Sequence, residues 1–307
     1  MGTIGRIFVG IKYLARQDPP RRRLIVDKDD TFLVSYPKSG NTWVRLLLAN
    51  LIHPQEAVTL TGADQLIPSV DGQSRRYFEQ MPRPRVIKSH YPFCETYKRV
   101  IYVVRDPRDI AVSQYHFQVK RRVLDDGFPI DKFITSFVAG EVCPYGSWGE
   151  NVASWTGART GDPNFLIVRY EDLLRQTYAE LNRIAALLKM NATAARLRLA
   201  VERSTAEKMR KMEKQEGRLW ASTKDTRQDI PFIRAATDGQ WQSVLSPSSV
   251  QKIEEAWGHL MLIFGYKLAY AGVAQEKASR ISSLLPGFSG VEMRAAALPA
   301  QSPVFEW

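Results

Sequence analysis

Three basic side chains sit where apolar runs of the chain break, and their surroundings suit work on an anion. Lys38 lies in Tyr36-Pro37-Lys38-Ser39-Gly40-Asn41-Thr42-Trp43, directly after the apolar run that begins at Thr31. Arg105 closes the run Arg99–Val104 and opens Arg105-Asp106-Pro107-Arg108-Asp109. His90 follows Arg85-Val86-Ile87-Lys88-Ser89. A lysine can neutralise charge growing on a leaving phosphate oxygen. A guanidinium fork binds two oxygens of a terminal phosphate at once. An imidazole of ordinary pKa near 6.5 can take a proton at neutral pH. Of the four histidines, His53 stands beside Pro54, and His116 and His259 fall inside helical patterns. Only His90 stands at a strand end, where open α/β sheets carry their active residues.

The elements that position these groups follow from periodicity. β-branched and aromatic runs predict strands over 31–36, 85–89, 99–105 and 165–170 that alternate with helices, the second ending in a polar cluster before a turn. That alternation predicts an α/β fold with a central parallel sheet covered on both faces. Pro37, Ser39 and Gly40 break the first strand, and Asn41 starts an apolar helical pattern through Val44, Leu47, Leu48 and Leu51, with Asn41 itself suited to an N-cap. A strand, a tight turn and a helix N-terminus present open N–H groups and the positive end of the helix dipole to an anion. The Walker A order does not fit, because Lys38 precedes Gly40 and no glycine stands upstream. Asp106 at a strand end admits a Walker B reading, but no Walker A accompanies it. Ser113, further along the helix after Pro107, adds a hydroxyl near Arg105.

The string Tyr36–Trp43 resembles the 5′-phosphosulfate loop of sulfotransferases that use 3′-phosphoadenosine 5′-phosphosulfate (PAPS), where T-Y-P-K-S-G-T-T-W is usual; Ser35 and Asn41 are the departures. Arg105–Ser113 resembles that family's R-N-P-K-D-x-A-V-S, whose Arg and Ser hold the 3′-phosphate. Lys88–Pro92 resembles its K-T-H-L-P, whose His is the catalytic base. The resemblance extends to Tyr170-Glu171-Asp172, to Pro144–Trp148, and to Ser204-Thr205-Ala206 with Met209, where Ala206 loses an aromatic ring. The chain is thus identified as a member of the cytosolic, small-molecule type, with a bacterial member expected. The resemblance implies a P-loop-like three-layer fold with a helical acceptor lid. It further implies transfer of a sulfuryl group from PAPS to a hydroxyl, leaving 3′-phosphoadenosine 5′-phosphate (PAP). His90 would be the base, Lys38 would stabilise the bridging oxygen and Lys88 the sulfuryl oxygens, without a metal. Lys38, Ser39, Gly40, Asn41, Thr42, Trp43, Arg105, Ser113, Tyr170, Ser204, Thr205, Phe232, Ile233 and Arg234 would hold the nucleotide. Ala235 and Ala236 replace a Lys-Gly pair after Arg234, which predicts weaker PAPS affinity than the full motif gives.

Composition agrees with a soluble globular chain of 307 residues, 44% hydrophobic and 24% charged. A net charge of +11 favours anionic partners, and no zinc spacing, helix-turn-helix or RNP-like strand favours nucleic acid. Two cysteines, Cys94 and Cys143, point to a reduced compartment, and a cytoplasmic location is expected. Residues 1–30 form a basic segment in which Ile4, Phe8, Ile11 and Leu14 recur at helical spacing, a pattern that can touch a membrane surface peripherally. Residues 31–271 make one domain, and 272–307 a weakly structured tail rich in Ala, Ser, Pro and Gly. Tyr91, Phe93, Tyr115, Phe117, Tyr145 and Trp148 are expected around the acceptor, suggesting a phenol, lipid or other apolar alcohol. A small-molecule or nucleoside kinase and a non-catalytic nucleotide-binding or membrane-surface protein are the competing readings.

Overall fold

A computed structural model describes residues 24–270. The termini on either side, including the amphipathic pattern at Ile4–Leu14 and the tail, lie outside the described residues. In chain order the elements are β1 (Thr31–Ser35), α1 (Asn41–Ile52), α2 (Leu60–Leu66), α3 (Arg75–Gln80), β2 (Val86–Ser89), β3 (Arg99–Val104), α4 (Pro107–Lys120), α5 (Ile130–Val138) and α6 (Trp148–Arg159). They continue with β4 (Phe165–Arg169), α7 (Tyr170–Arg175), α8 (Thr177–Leu187), α9 (Ala194–Arg203), α10 (Ala206–Glu216), α11 (Trp241–Val244) and α12 (Pro247–Ile263).

The four strands form one parallel sheet in the order β2-β1-β3-β4. Parallel strands joined by helical crossovers are buried on both faces, which is why these runs are almost wholly apolar. The period of two divides them between two cores. Phe32, Val34, Ile87, Val100, Tyr102 and Val104 face a layer that includes α4, α5, α6 and α12. Leu33, Val86, Ile101 and Val103 face the layer that includes α1, α8 and α9. Packing begins before the first strand: Leu24 joins the first core, and Asp30 is fully buried. Asp30 accepts from Arg85 Nε at 2.8 Å and Nη2 at 2.5 Å, which ties the start of β1 to that of β2.

From β1 the chain crosses to β2 on one side, then to β3 on the other. The loops after β1 and β3 therefore diverge and open a crevice at the carboxyl edge of the sheet. All four strand ends deliver to that edge: Tyr36–Gly40 from β1, His90 from β2, Arg105 from β3 and Tyr170 from β4.

Candidate active site

The loop after β1 is held in a conformation that few residues adopt. Lys38 has φ 71° and Gly40 φ 98°. A Cβ on Gly40 would fall 2.5 Å from Tyr170 Cδ2, so the absence of a side chain lets the loop approach the β4 end. Gly40, not Asn41, is the N-cap of α1, and no side chain caps the helix. Asn41 turns back instead and donates to Ser35 Oγ at 3.1 Å, because the small hydroxyl at the end of β1 offers it a buried acceptor. The first N–H groups of α1 thus stay open to the crevice. The Ser39 hydroxyl is buried without a hydrogen-bond partner.

Around this loop lies a cavity of about 640 Å³. Lys38, Gly40, Asn41, Thr42, Trp43, Lys88, His90, Arg105, Ser113, Tyr170, Phe232, Ile233 and Arg234 all line it. Three of the expected residues do not. Ser39 is buried beneath the loop. The Ser204 hydroxyl accepts from Asn50 Nδ2 at 3.3 Å, and its carbonyl accepts from Trp43 Nε1 at 2.9 Å, so Ser204 sits behind Trp43. Thr205 caps α10 through Lys208 N. Their helix-terminal sequence is satisfied locally, and it is Ala206 and Met209 from α10 that reach the cavity.

Cations dominate the crevice. The Lys38 ammonium rests 3.7 Å from the centre of the Phe232 ring and 4.3 Å from that of Phe117. Burial lowers its pKa to about 7, aided by the neighbouring Arg105 and Arg234. Arg105 donates to the Thr237 carbonyl at 3.0 Å and lies 4.2 Å over the Tyr170 ring, while its Nε is buried and unpaired. Burial and the charge of Arg105 also lower the pKa of Arg234. Asp109, 3.9 Å from Arg105, is committed elsewhere: it accepts from Gly239 N at 2.7 Å and Trp241 N at 3.1 Å and so ties down the loop that carries Arg234. Glu213 does the same for Phe232 N at 2.5 Å and Ile233 N at 2.9 Å. Cations brought together with unused donors need an anion bearing several oxygens.

His90 stands at the β2 end, half-buried in the cavity wall. Its Nδ1 lies 2.7 Å from the Ser35 carbonyl, which must receive a proton, so Nδ1 carries the hydrogen and Nε2 the lone pair. Burial, and then the nearby Lys88 cation, push its pKa well below 6.5. Lys88 is lowered to about 8 by burial and by Arg45. Behind His90, Asn151 Nδ2 donates to its carbonyl at 3.0 Å, and Tyr102 donates to Asn151 Oδ1 at 2.8 Å.

The expected ring of acceptor aromatics is mostly corrected. Phe117 and Tyr145 line the cavity, with Val142, Cys143 and Pro144 beside them. Trp148 is fully buried against Trp257, and Tyr115 donates to the Phe128 carbonyl. Phe93 packs on Trp155, and Tyr91 is buried with its hydroxyl on Asp71. Tyr115 and Trp148 lie on helices whose apolar stripes turn towards the sheet, whereas Tyr91 and Phe93 belong to the β2–β3 connection, where Tyr91 is buried and Phe93 is exposed at the surface.

A parallel sheet with a polyanion cradle at its switch point and a neutral imidazole beside it defines a group-transfer enzyme acting on an anionic donor. The sulfotransferase domain family matches residues 28–265, and the chain belongs to that family. It is 25% identical over 260 residues to a 3-beta-hydroxysteroid sulfotransferase of Cavia porcellus, covering 81% of this chain and 89% of that one. To sulfotransferase 1A1 of Bos taurus it is 28% identical over 275 residues, covering 85% and 92%. The fold is shared with mouse sulfotransferase SULT7A1, solved with PAP, at TM-score 0.63 and 24% identity over 78% of this chain and 86% of that one. It is also shared with a retinol dehydratase solved with retinol and PAP, at TM-score 0.67 and 18% identity over 84% and 88%. Both sequence relatives are animal proteins, which lends the expectation of a bacterial member no support.

Proposed function

We propose that this chain transfers the sulfuryl group of PAPS to the hydroxyl of a small apolar or phenolic acceptor, with His90 as the base. The observation that carries the reading is the convergence of Lys38, Arg105 and Arg234, with the open N–H groups of α1, on one cavity that His90 also lines. The residues fit the nucleotide. The unpaired Arg105 Nε and the uncapped N-terminus of α1 are features that anionic oxygens would use. Arg105, Ser113 and Arg234 would hold the 3′-phosphate. The loop Lys38–Trp43 would hold the 5′-phosphosulfate, with the buried Ser39 supporting it from below. Tyr170 and Trp43, whose rings meet edge to face at 6.0 Å, would flank the adenine. The bound donor supplies a sulfur that exchanges its bond to the phosphate oxygen for one to the acceptor oxygen.

The chain's own groups then divide the charge. His90 Nε2 takes the acceptor's proton, and because the imidazole is neutral it is ready to do so across the physiological range. Lys38 leaves its aromatic seat for the oxygen that gains charge, and the field of that oxygen restores its proton. Lys88 faces the sulfuryl oxygens. Phe117, Val142, Pro144 and Tyr145 offer the acceptor an apolar wall. Incubation with PAPS and a panel of phenols and small alcohols, with PAP release measured, tests the reading. Turnover that His90→Ala removes supports it; transfer of phosphate from ATP to the same panel would replace it with a kinase.

A further inference from the structure

Two restraints on His90 come from close at hand: the Nδ1 hydrogen bond to Ser35 and the Asn151 amide on its carbonyl. They fix its main chain and one edge of the ring, where the Ser35 carbonyl at 2.7 Å and hydroxyl at 3.4 Å both meet Nδ1, but they leave the Nε2 edge unheld. The Tyr145 ring bears on the imidazole from 5.4 Å between centroids, inclined at 60°. Tyr145 lies on the loop before α6, and its hydroxyl donates to Asp71 Oδ2 at 2.8 Å. The other Asp71 oxygen accepts from Tyr91, the residue after His90, at 2.6 Å. Asp71 is itself referenced to β2. Its turn is closed by Gly72 N on the Ser69 carbonyl at 2.9 Å. The segment also pairs with the strand through Val70 N on the Lys88 carbonyl and Lys88 N on the Pro68 carbonyl, both at 2.9 Å. One carboxylate thus locks the tyrosine that bears on the imidazole to the strand that carries the imidazole.

An apolar cavity wall would need only a phenylalanine at 145. A hydroxyl pinned by a charge-assisted bond adds direction instead of surface. We infer that Asp71 and Tyr145 are positioning residues for the proposed base, holding the His90 ring so that Nδ1 stays on Ser35 and Nε2 faces the acceptor. This inference rests on His90 being the base.

Tyr145→Phe keeps the ring and removes only its anchor, and Asp71→Asn removes the charge that receives it. Each should lower kcat at saturating PAPS by about tenfold or more, as displacement of a reacting group by about an ångström does. The PAP dissociation constant and the melting temperature should stay as in the parent. The double variant should fall no further than either single one, since both break the same contact. In a 15N-histidine spectrum assigned through His90→Ala, the parent should show one tautomer protonated on Nδ1, and both variants a mixture. A kcat for Tyr145→Phe within about twofold of the parent, additive losses in the double variant, or an unchanged His90 spectrum would each overturn the inference. Failure of the underlying reading looks different: the parent would not bind PAP, or His90→Ala would retain turnover.

Discussion

Lys38 is the residue on which the electrostatics of the crevice turn. Held at about 7 by burial, it is largely neutral above pH 7 in the free enzyme. A bound polyanion favours the ammonium, so PAP binding should take up a proton at pH 8, and affinity should fall as pH rises above about 7. Calorimetry in two buffers of different ionisation enthalpy measures that uptake, and equal heats at pH 8 would argue against it. Stability without ligand moves the opposite way with pH. The unfolded chain holds this proton up to about 10.5, so burying Lys38 opposes folding in full below pH 7, and that cost is relieved as pH rises from 7 towards 10.5. Replacing Lys38 by Met should cost about 10²–10³ in kcat. Replacing His90 by Ala should cost about 10²–10⁴ while leaving the PAP dissociation constant in place. Because the imidazole titrates well below 6.5, kcat/KM should show no acid limb at pH 6.5; a limb there would assign the base elsewhere.

At the level of elements, the β1–α1 turn carries the site, and its tolerance is set by conformation. Gly40→Ala meets two obstacles, a φ of +98° and the Tyr170 ring 2.5 Å away. It should destabilise the fold by about 1–3 kcal/mol and weaken PAP binding at least tenfold; thermal melts and calorimetry read both. The strands and this turn were legible in the sequence because β-branched runs ending in Pro, Ser and Gly have few alternatives. Strand ends matched within one residue for β1, β2, β3 and β4. Side-chain direction was not legible. Asn41 caps nothing because Ser35 lies across the turn from it, and Trp148 enters the core because α6 packs on α12. Asp109 and Glu213 passed unnoticed, since a carboxylate that receives loop N–H groups more than a hundred or some twenty residues away leaves no local pattern. Only the Asp in the RDPRD string hinted at one of them. Asp109→Ala should therefore loosen the 237–241 loop and weaken PAP binding about tenfold, seen as faster amide exchange in that segment.

For the whole molecule, the sheet joins two apolar cores, so the described domain should unfold as one unit. PAP at about 100 times its dissociation constant should add about 2.7 kcal/mol. That corresponds to a rise in melting temperature of roughly 5–10 °C for a domain of this size. The net charge of +11 should make the association weaken with salt, whereas ATP should leave the melting curve near its starting point. No described helix is long and apolar enough to cross a membrane. The central claim is that the crevice is built for a 3′-phosphorylated adenine nucleotide, and calorimetric titration with PAP tests it most directly, with ATP and AMP as controls. PAP should bind selectively, and Arg105→Ala should abolish that binding. Equal or tighter binding of ATP, or PAP affinity indifferent to Arg105, would contradict it.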